Sequence, residues 1–138
     1  MTLSIDEMAL LHGRCFTTPR PWSGVEIAQI LANPHSFAIT VPHGFLLGQT
    51  VAGEAELLTL AVAPEQRRQG IGRALVDGFC AMARQKGAQT AFLEVAATNT
   101  AAIALYKAAG FAQSGLRRAY YHSQGGGAVD AVVMLCVL

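Results

Sequence analysis

Apolar residues recur along the chain with two different periods, and the changes of period mark out its elements. Thr2 to Ile5 predicts a short first strand. Asp6 to Cys15 predicts a helix, with Met8, Leu11 and Cys15 on one stripe. The stretch from Thr17 to Trp22 holds two prolines, which break a hydrogen-bond ladder, so it reads as a loop. Ser23-Gly24-Val25-Glu26 has the form of a capping box and opens a helix to about Ala32, which Asn33-Pro34 ends. Three strands follow: Ser36 to Thr40, Gly44 to Val51, and the apolar Glu54 to Val62, stopped by Pro64. A glycine-containing turn, Arg67 to Gly72, leads into a helix that ends near Lys86 with Gly87 as its cap. Its buried stripe is predicted to be Ile71, Leu75, Phe79 and Met82. Thr90 to Val95 reads as a short strand, and a helix from about Thr100 to Ala109 closes at Gly110. Two last strands, about Phe111 to Tyr120 and Val129 to Leu138, flank Gly125-Gly126-Gly127 and predict a hairpin.

This order predicts an α+β fold of α/β/α layers. The early strands should pair as antiparallel hairpins. The strand–helix–strand unit in the middle should be parallel. The length of 138 residues suits one domain spanning the whole chain.

Composition narrows the function classes. Hydrophobic residues make up 52% and charged residues 14%, which argues against a disordered chain and hints at surface buried against a partner, such as a second copy. A formal net charge of +1 supplies no global field for nucleic acid or membrane. The residues from Met1 to Ile5 lack the basic start and apolar run of a signal peptide, and no apolar stretch reaches the ~20 residues that span a bilayer. Cys15, Cys80 and Cys136 are odd in number and widely spaced, which fits buried thiols in a reducing cytoplasm. His12, His35, His43 and His122 show no ligand spacing, so no metal site is expected.

The turn from Arg67 to Gly72 carries the most chemistry. A helix start presents unpaired N–H groups and the positive end of its dipole. Gly70 and Gly72 let a phosphate approach the backbone, and Arg67, Arg68 and Arg73 add charge at the rim. A phosphate or pyrophosphate site is one reading; a basic turn that needs glycine for tightness is the other. Arg73-Ala74 stands where a nucleotide P-loop needs Lys and Ser or Thr. Leu75 stands where a dinucleotide fingerprint needs a third glycine.

Arg67-Arg68-Gln69-Gly70-Ile71-Gly72 resembles the acetyl-CoA pyrophosphate loop of the GNAT N-acetyltransferase superfamily, Q/R-x-x-G-x-G/A. The preceding Leu60-Ala61-Val62-Ala63-Pro64 is similar to the strand end found there. Asn99 to Phe111 resembles the signature N-x-x-A-x-x-L-Y-x-x-x-G-F. Leu93-Glu94-Val95, Arg117-Arg118, Tyr120-Tyr121 and Pro21-Trp22-Ser23 extend the likeness to bacterial ribosomal-protein-alanine N-acetyltransferases. Ala96 departs from that pattern, because relatives often carry a basic residue there.

The resemblance implies a GNAT-like mixed sheet whose parallel strands splay between Val62 and Val95. It implies acetyl-CoA as cosubstrate, its pantetheine arm along Leu60, Ala61 and Val62 and near Asn99, and its pyrophosphate on Arg67, Arg68, Gln69, Gly70, Ile71, Gly72 and Arg73. Glu94, at the end of an apolar strand where desolvation makes a carboxylate a better base, is the expected general base. Tyr106, two helical turns after Asn99, is the expected acid for the leaving thiolate and also a cofactor contact. Glu56 is the second carboxylate, further from the splay. Trp22, Tyr120 and Tyr121 are expected to line the acceptor groove. The implied acceptor is a primary amine, foremost the α-amine of a protein N-terminus such as a ribosomal protein. A lysine or small amine, or a non-catalytic acyl-CoA-binding module, remain open alternatives.

Overall fold

The computed structural model describes residues 2–122 and 126–138, so Gly125 of the triglycine lies outside them. The elements run α1 (Ile5–Cys15), α2 (Gly24–Ala32), β1 (Ser36–Val41), β2 (Gly44–Val51), β3 (Glu54–Val62), α3 (Ile71–Gln85), β4 (Thr90–Ala96), α4 (Thr100–Ala108), β5 (Ala112–His122) and β6 (Ala128–Val137). A single 3₁₀ turn, Pro64–Gln66, separates β3 from the glycine turn.

Local signals set most of these boundaries. The Ser23–Glu26 capping box starts α2, and Gly87 and Gly110 follow α3 and α4 with φ of 87° and 103°. The expected strand at Thr2 to Ile5 is absent. Ser4 instead caps α1: its hydroxyl accepts from Glu7 N–H, and the Glu7 carboxylate accepts from Ser4 N–H. Ser-x-x-Glu ahead of an apolar helix satisfies two orphan donors at once, and this outweighs any strand tendency of so short a segment.

The six strands form one sheet in the order β1-β2-β3-β4-β6-β5. β1, β2 and β3 pair antiparallel, β3 and β4 pair parallel, and the terminal hairpin enters with β6 against β4, leaving β5 at the edge. One face packs α3 and α4 through Leu46, Leu57, Leu75, Phe79, Leu93 and Met134. The other packs α1 and α2 through Met8, Leu11, Ile27, Phe45, Leu47 and Ala61. The result is the α/β/α layering that the element order predicts. The buried stripe of α3 is Leu75, Val76, Phe79, Cys80 and Ala83, while Ile71 and Met82 are only partly covered. The sheet is broad enough to cover neighbouring rows of the helix, so the stripe is wider and rotated from the one that period alone suggests. No helix among the described residues is long and apolar enough to cross a membrane.

Two irregularities open the sheet. On β2, Leu47 pairs with Thr59 and Gly48 with Leu57, so Leu58 is an extra residue on β3 and forms a bulge. The parallel ladder between β3 and β4 ends at the same level, at Leu57↔Leu93. Beyond it the two strands separate, as the expected splay requires.

Candidate active site

The gap between β3 and β4 holds a cavity of about 950 Å³. Leu58 to Val62 form one wall and Glu94 to Ala96 the other. The glycine turn closes one end, α4 contributes Asn99, Leu105 and Tyr106, and the α1–α2 loop brings Phe16 and Trp22. The cavity therefore communicates with both faces of the sheet. The β3 backbone along it has lost its β4 partner, so its peptide groups on that side are available to an extended ligand.

The N-terminus of α3 is built differently from the other helix starts. Ser4, Ser23 and Asn99 cap α1, α2 and α4 with their side chains, whereas α3 has no side-chain cap. Its N-cap residue, Gly70, has φ +80°, a left-handed conformation that only glycine adopts without strain. The first N–H groups of α3 therefore face the cavity end without a competing oxygen. The two glycines serve different ends. Gly70 has open space around it, while a Cβ at Gly72 would meet Leu105 Cδ2 at 3.0 Å. Gly72 thus lets α3 pack closely on α4, and Gly70 shapes the turn. Arg67 Nε donates to the Val62 carbonyl at 3.4 Å, tying the turn to the end of β3. Arg68 lies at φ +64°. Arg73 forms an exposed pair with Asp77 at 3.1 Å, so its charge is shared along α3. Oriented N–H groups with arginines at the rim fit an anionic, pyrophosphate-bearing ligand.

Glu94 projects from β4 on the face opposite Leu93 and Val95, which are buried against α3 and α4. Its side chain is 17% exposed and lies 3.4 Å from Arg117 of β5. Arg117 also rests over the Tyr120 ring, 5.1 Å from its centroid. Burial, then the charge of Glu94, pushes the Tyr121 phenol up to about 12, with Tyr120 adding to the rise and Arg117 opposing it. Burial foremost, then Tyr121, raises Tyr106 further still. Tyr121 is thus the electrostatic neighbour of both Glu94 and Tyr106, and both phenols stay protonated near neutral pH. The Tyr106 ring is buried and meets Phe111 edge-on at 6.1 Å. No described residue hydrogen-bonds its hydroxyl, and the side chain lines the cavity. Asn99 accepts from Ala102 N–H at 3.2 Å, capping α4 at the cavity wall.

Of the residues singled out in the sequence, Leu60, Ala61, Val62, Arg67, Arg68, Gly70, Ile71, Gly72, Arg73, Glu94, Asn99, Tyr106, Trp22 and Tyr121 line this one cavity. Gln69 is exposed and lies outside its wall, as does Tyr120, 47% exposed. Glu56 lies within the paired part of β3, where it accepts from Gln49 Nε2 at 3.1 Å; burial, reinforced by Glu94, raises its carboxyl above the usual range.

The sequence reading missed His12 and Thr59. His12 is fully buried, stacked between Phe16 at 4.2 Å and Trp22 at 5.0 Å. Its Nδ1 accepts from Trp22 N–H at 3.0 Å, and its Nε2 lies 3.0 Å from Thr59 Oγ1. A signal was available, since His12 sits four residues after Met8 and within the stripe of Met8, Leu11 and Cys15. Thr59 had none, because only the bulge at Leu58 decides which way it faces.

Comparison with known proteins places this geometry. Residues 6–111 match the acetyltransferase (GNAT) family. The [ribosomal protein bS18]-alanine N-acetyltransferase of Escherichia coli K12 is 43% identical over 90 residues, 65% of this chain and 60% of that protein, so the match spans less than two thirds of that relative's length. The N-alpha-acetyltransferase RimI of Mycobacterium tuberculosis is 34% identical over 135 residues, 91% of this chain and 82% of its own. The crystal structure of the E. coli ribosomal-protein-S18-alanine N-acetyltransferase superposes with a TM-score of 0.82 at 33% identity, covering 94% of this chain and 84% of the other. The chain belongs to the GNAT acetyltransferase family.

Proposed function

We propose that the protein transfers the acetyl group of acetyl-CoA to the α-amine of a polypeptide N-terminus, in a ribosomal protein and so in the cytoplasm. The observation that carries this reading is the opening of the β3–β4 ladder after Leu57↔Leu93. It puts the uncapped start of α3, Glu94 and Tyr106 on the wall of a single cavity. The relatives named above support the choice of acceptor.

Each group then has a distinct task. Arg67, Arg68 and the N–H groups from Gly70 onward hold the pyrophosphate, with Gln69 and Arg73 at the rim. Leu60, Ala61 and Val62 offer backbone groups to the pantetheine amides, and Asn99 stands across the gap from them. Unpaired N–H groups of β3 polarise the thioester carbonyl. Glu94, directly or through a water, takes the proton from the acceptor ammonium, leaving a neutral amine. A peptide α-amine titrates near ~8, against ~10.4 for lysine, so the carboxylate has less to do for an N-terminus. The amine nitrogen forms a bond to the carbonyl carbon, the carbon–sulfur bond breaks, and the second proton shed by the nitrogen returns through solvent to the Tyr106 oxygen. Tyr106, kept protonated by burial, meets the departing thiolate as a donor. The products are the acetylated N-terminus and the free thiol of coenzyme A. Trp22 and Tyr121 form the sides of the acceptor entrance.

Acetylation of a panel containing N-terminal peptides, lysine peptides and small amines tests this reading. Turnover of the free α-amine peptides in preference to the others is expected. Turnover of a small amine with no peptide acetylated would replace it with the small-amine alternative.

A further inference from the structure

Thr59 carries a buried hydroxyl that the transfer described above does not use. The bulge at Leu58 turns both Leu58 and Thr59 to the α1–α2 face, so Thr59 meets His12 instead of the α3 core. The tautomer of His12 follows from its partners. Nδ1 accepts the Trp22 N–H, so the ring hydrogen sits on Nε2 and Thr59 Oγ1 must accept it. Burial lowers His12 to about 4, which keeps this arrangement neutral and intact in the working pH range. With its oxygen occupied as an acceptor, the Thr59 hydroxyl has a hydrogen of its own to donate. No other described residue takes it, Thr59 as a whole is only 7% exposed, and it is one of the residues that line the cavity. Glu94 projects from the same face of the sheet, opposite to Leu93 and Val95.

An acceptor amine cannot use this donor productively, because its lone pair must attack the thioester. The first atom of an α-amino peptide able to accept is the carbonyl oxygen of the residue that bears the amine. We propose that Thr59, oriented by His12, is a positioning residue that donates to this carbonyl and so selects amines followed by an amide over simple alkylamines. This rests on the peptide-acceptor reading given above.

The experiment compares wild type, Thr59→Val and Thr59→Ser on two acceptors. One is an alanyl-led hexapeptide; the other is the same peptide with its first amide replaced by a trans alkene, which removes the carbonyl and keeps the shape. Thr59→Val is expected to raise KM for the hexapeptide about five- to tenfold, the worth of one hydrogen bond, with kcat within about twofold. Thr59→Ser stays near wild type, and the alkene peptide does not distinguish wild type from Thr59→Val. Acetyl-CoA affinity, measured by titration calorimetry, stays unchanged in both variants and reports intact folding. An equal loss on both acceptors, or a shifted pH profile of kcat, overturns the proposal in favour of Thr59 serving Glu94 or packing alone. An unchanged KM for the hexapeptide overturns it as well. Failure of wild type to acetylate the hexapeptide removes the peptide reading itself and this inference with it, a result separate from any effect of the variants.

Discussion

On the α3 side of the β3–β4 gap, the atoms offered to a ligand are mostly backbone. They are the N–H groups at the uncapped start of α3, the left-handed turn at Gly70, and the peptide groups that β3 has lost from its ladder. On the α1–α2 side they are side chains held by partners distant in sequence. Glu94 is held beside Arg117, Thr59 by His12, and His12 by the Trp22 backbone. Where the offered groups are glycine and peptide N–H, the arrangement tolerates variation in most side chains. The second can be retuned one residue at a time. Such a division suits an enzyme with an invariant cosubstrate on one side and a selected acceptor on the other.

The largest expected effect tests whether the side-chain half carries the chemistry. Glu94→Gln removes the proposed base and should lower kcat by about 10³-fold, with acetyl-CoA affinity unchanged. A steady-state assay beside a calorimetric titration separates the two quantities. A small loss of kcat would move the base elsewhere.

The next concerns how the α1–α2 side is held together. In the fold His12 is lowered by burial to about 4 from its ordinary 6.5. Between these values the unfolded chain binds a proton that the folded chain does not, so stability rises with pH. The contribution is complete above about pH 6.5 and is lost as pH falls towards about 4, reaching on the order of 3 kcal/mol. Glu56 works in the opposite sense, because its raised carboxyl gains its proton more readily in the fold. Denaturant titrations of wild type and His12→Gln across this range isolate the histidine. Parallel pH slopes for the two proteins would show that the His12 cluster does not set acid stability.

Tyr106→Phe keeps the buried ring and removes the donor from the wall shared by both halves. A fall in kcat of about 10²-fold is expected, with KM for both substrates little changed. An undiminished rate would leave the thiolate to solvent protonation. The smallest effect belongs to the backbone half. Gly70→Ala places a side chain at φ +80° at a cost of about 1–2 kcal/mol. It should weaken acetyl-CoA binding about tenfold while kcat at saturation stays within about twofold. A loss of kcat instead would tie the turn to the chemistry and blur the division.

The same division separates what could be read from the chain from what could not. The α3 side of the cavity was legible because its parts are contiguous: Arg67 to Gly72 lie between a strand and a helix start, and Asn99 to Phe111 form one helix with its closing glycine. Glu94 was found through its neighbours Leu93 and Val95, and Trp22 through Pro21 and Ser23. His12 escaped notice because a histidine inside an apolar stripe looks the same whether it fills space or anchors a network. Tyr120 and Tyr121 are adjacent in sequence, yet only Tyr121 reaches the cavity.

By itself the sequence determined the elements, their ends and the glycine turn, because caps, prolines, glycines and period act over a few residues at a time. The strand expected over Thr2 to Ile5 was misread there: Ser4 is a cap, and the helix begins at Ile5. The tertiary structure alone decided that β6 enters beside β4, that Leu58 bulges, and that the ladder opens after Leu57↔Leu93. It also decided that His12 meets Thr59 and that Arg117 meets Glu94. These depend on backbone pairings between segments far apart in the chain, and such pairings leave no periodic trace in either segment alone.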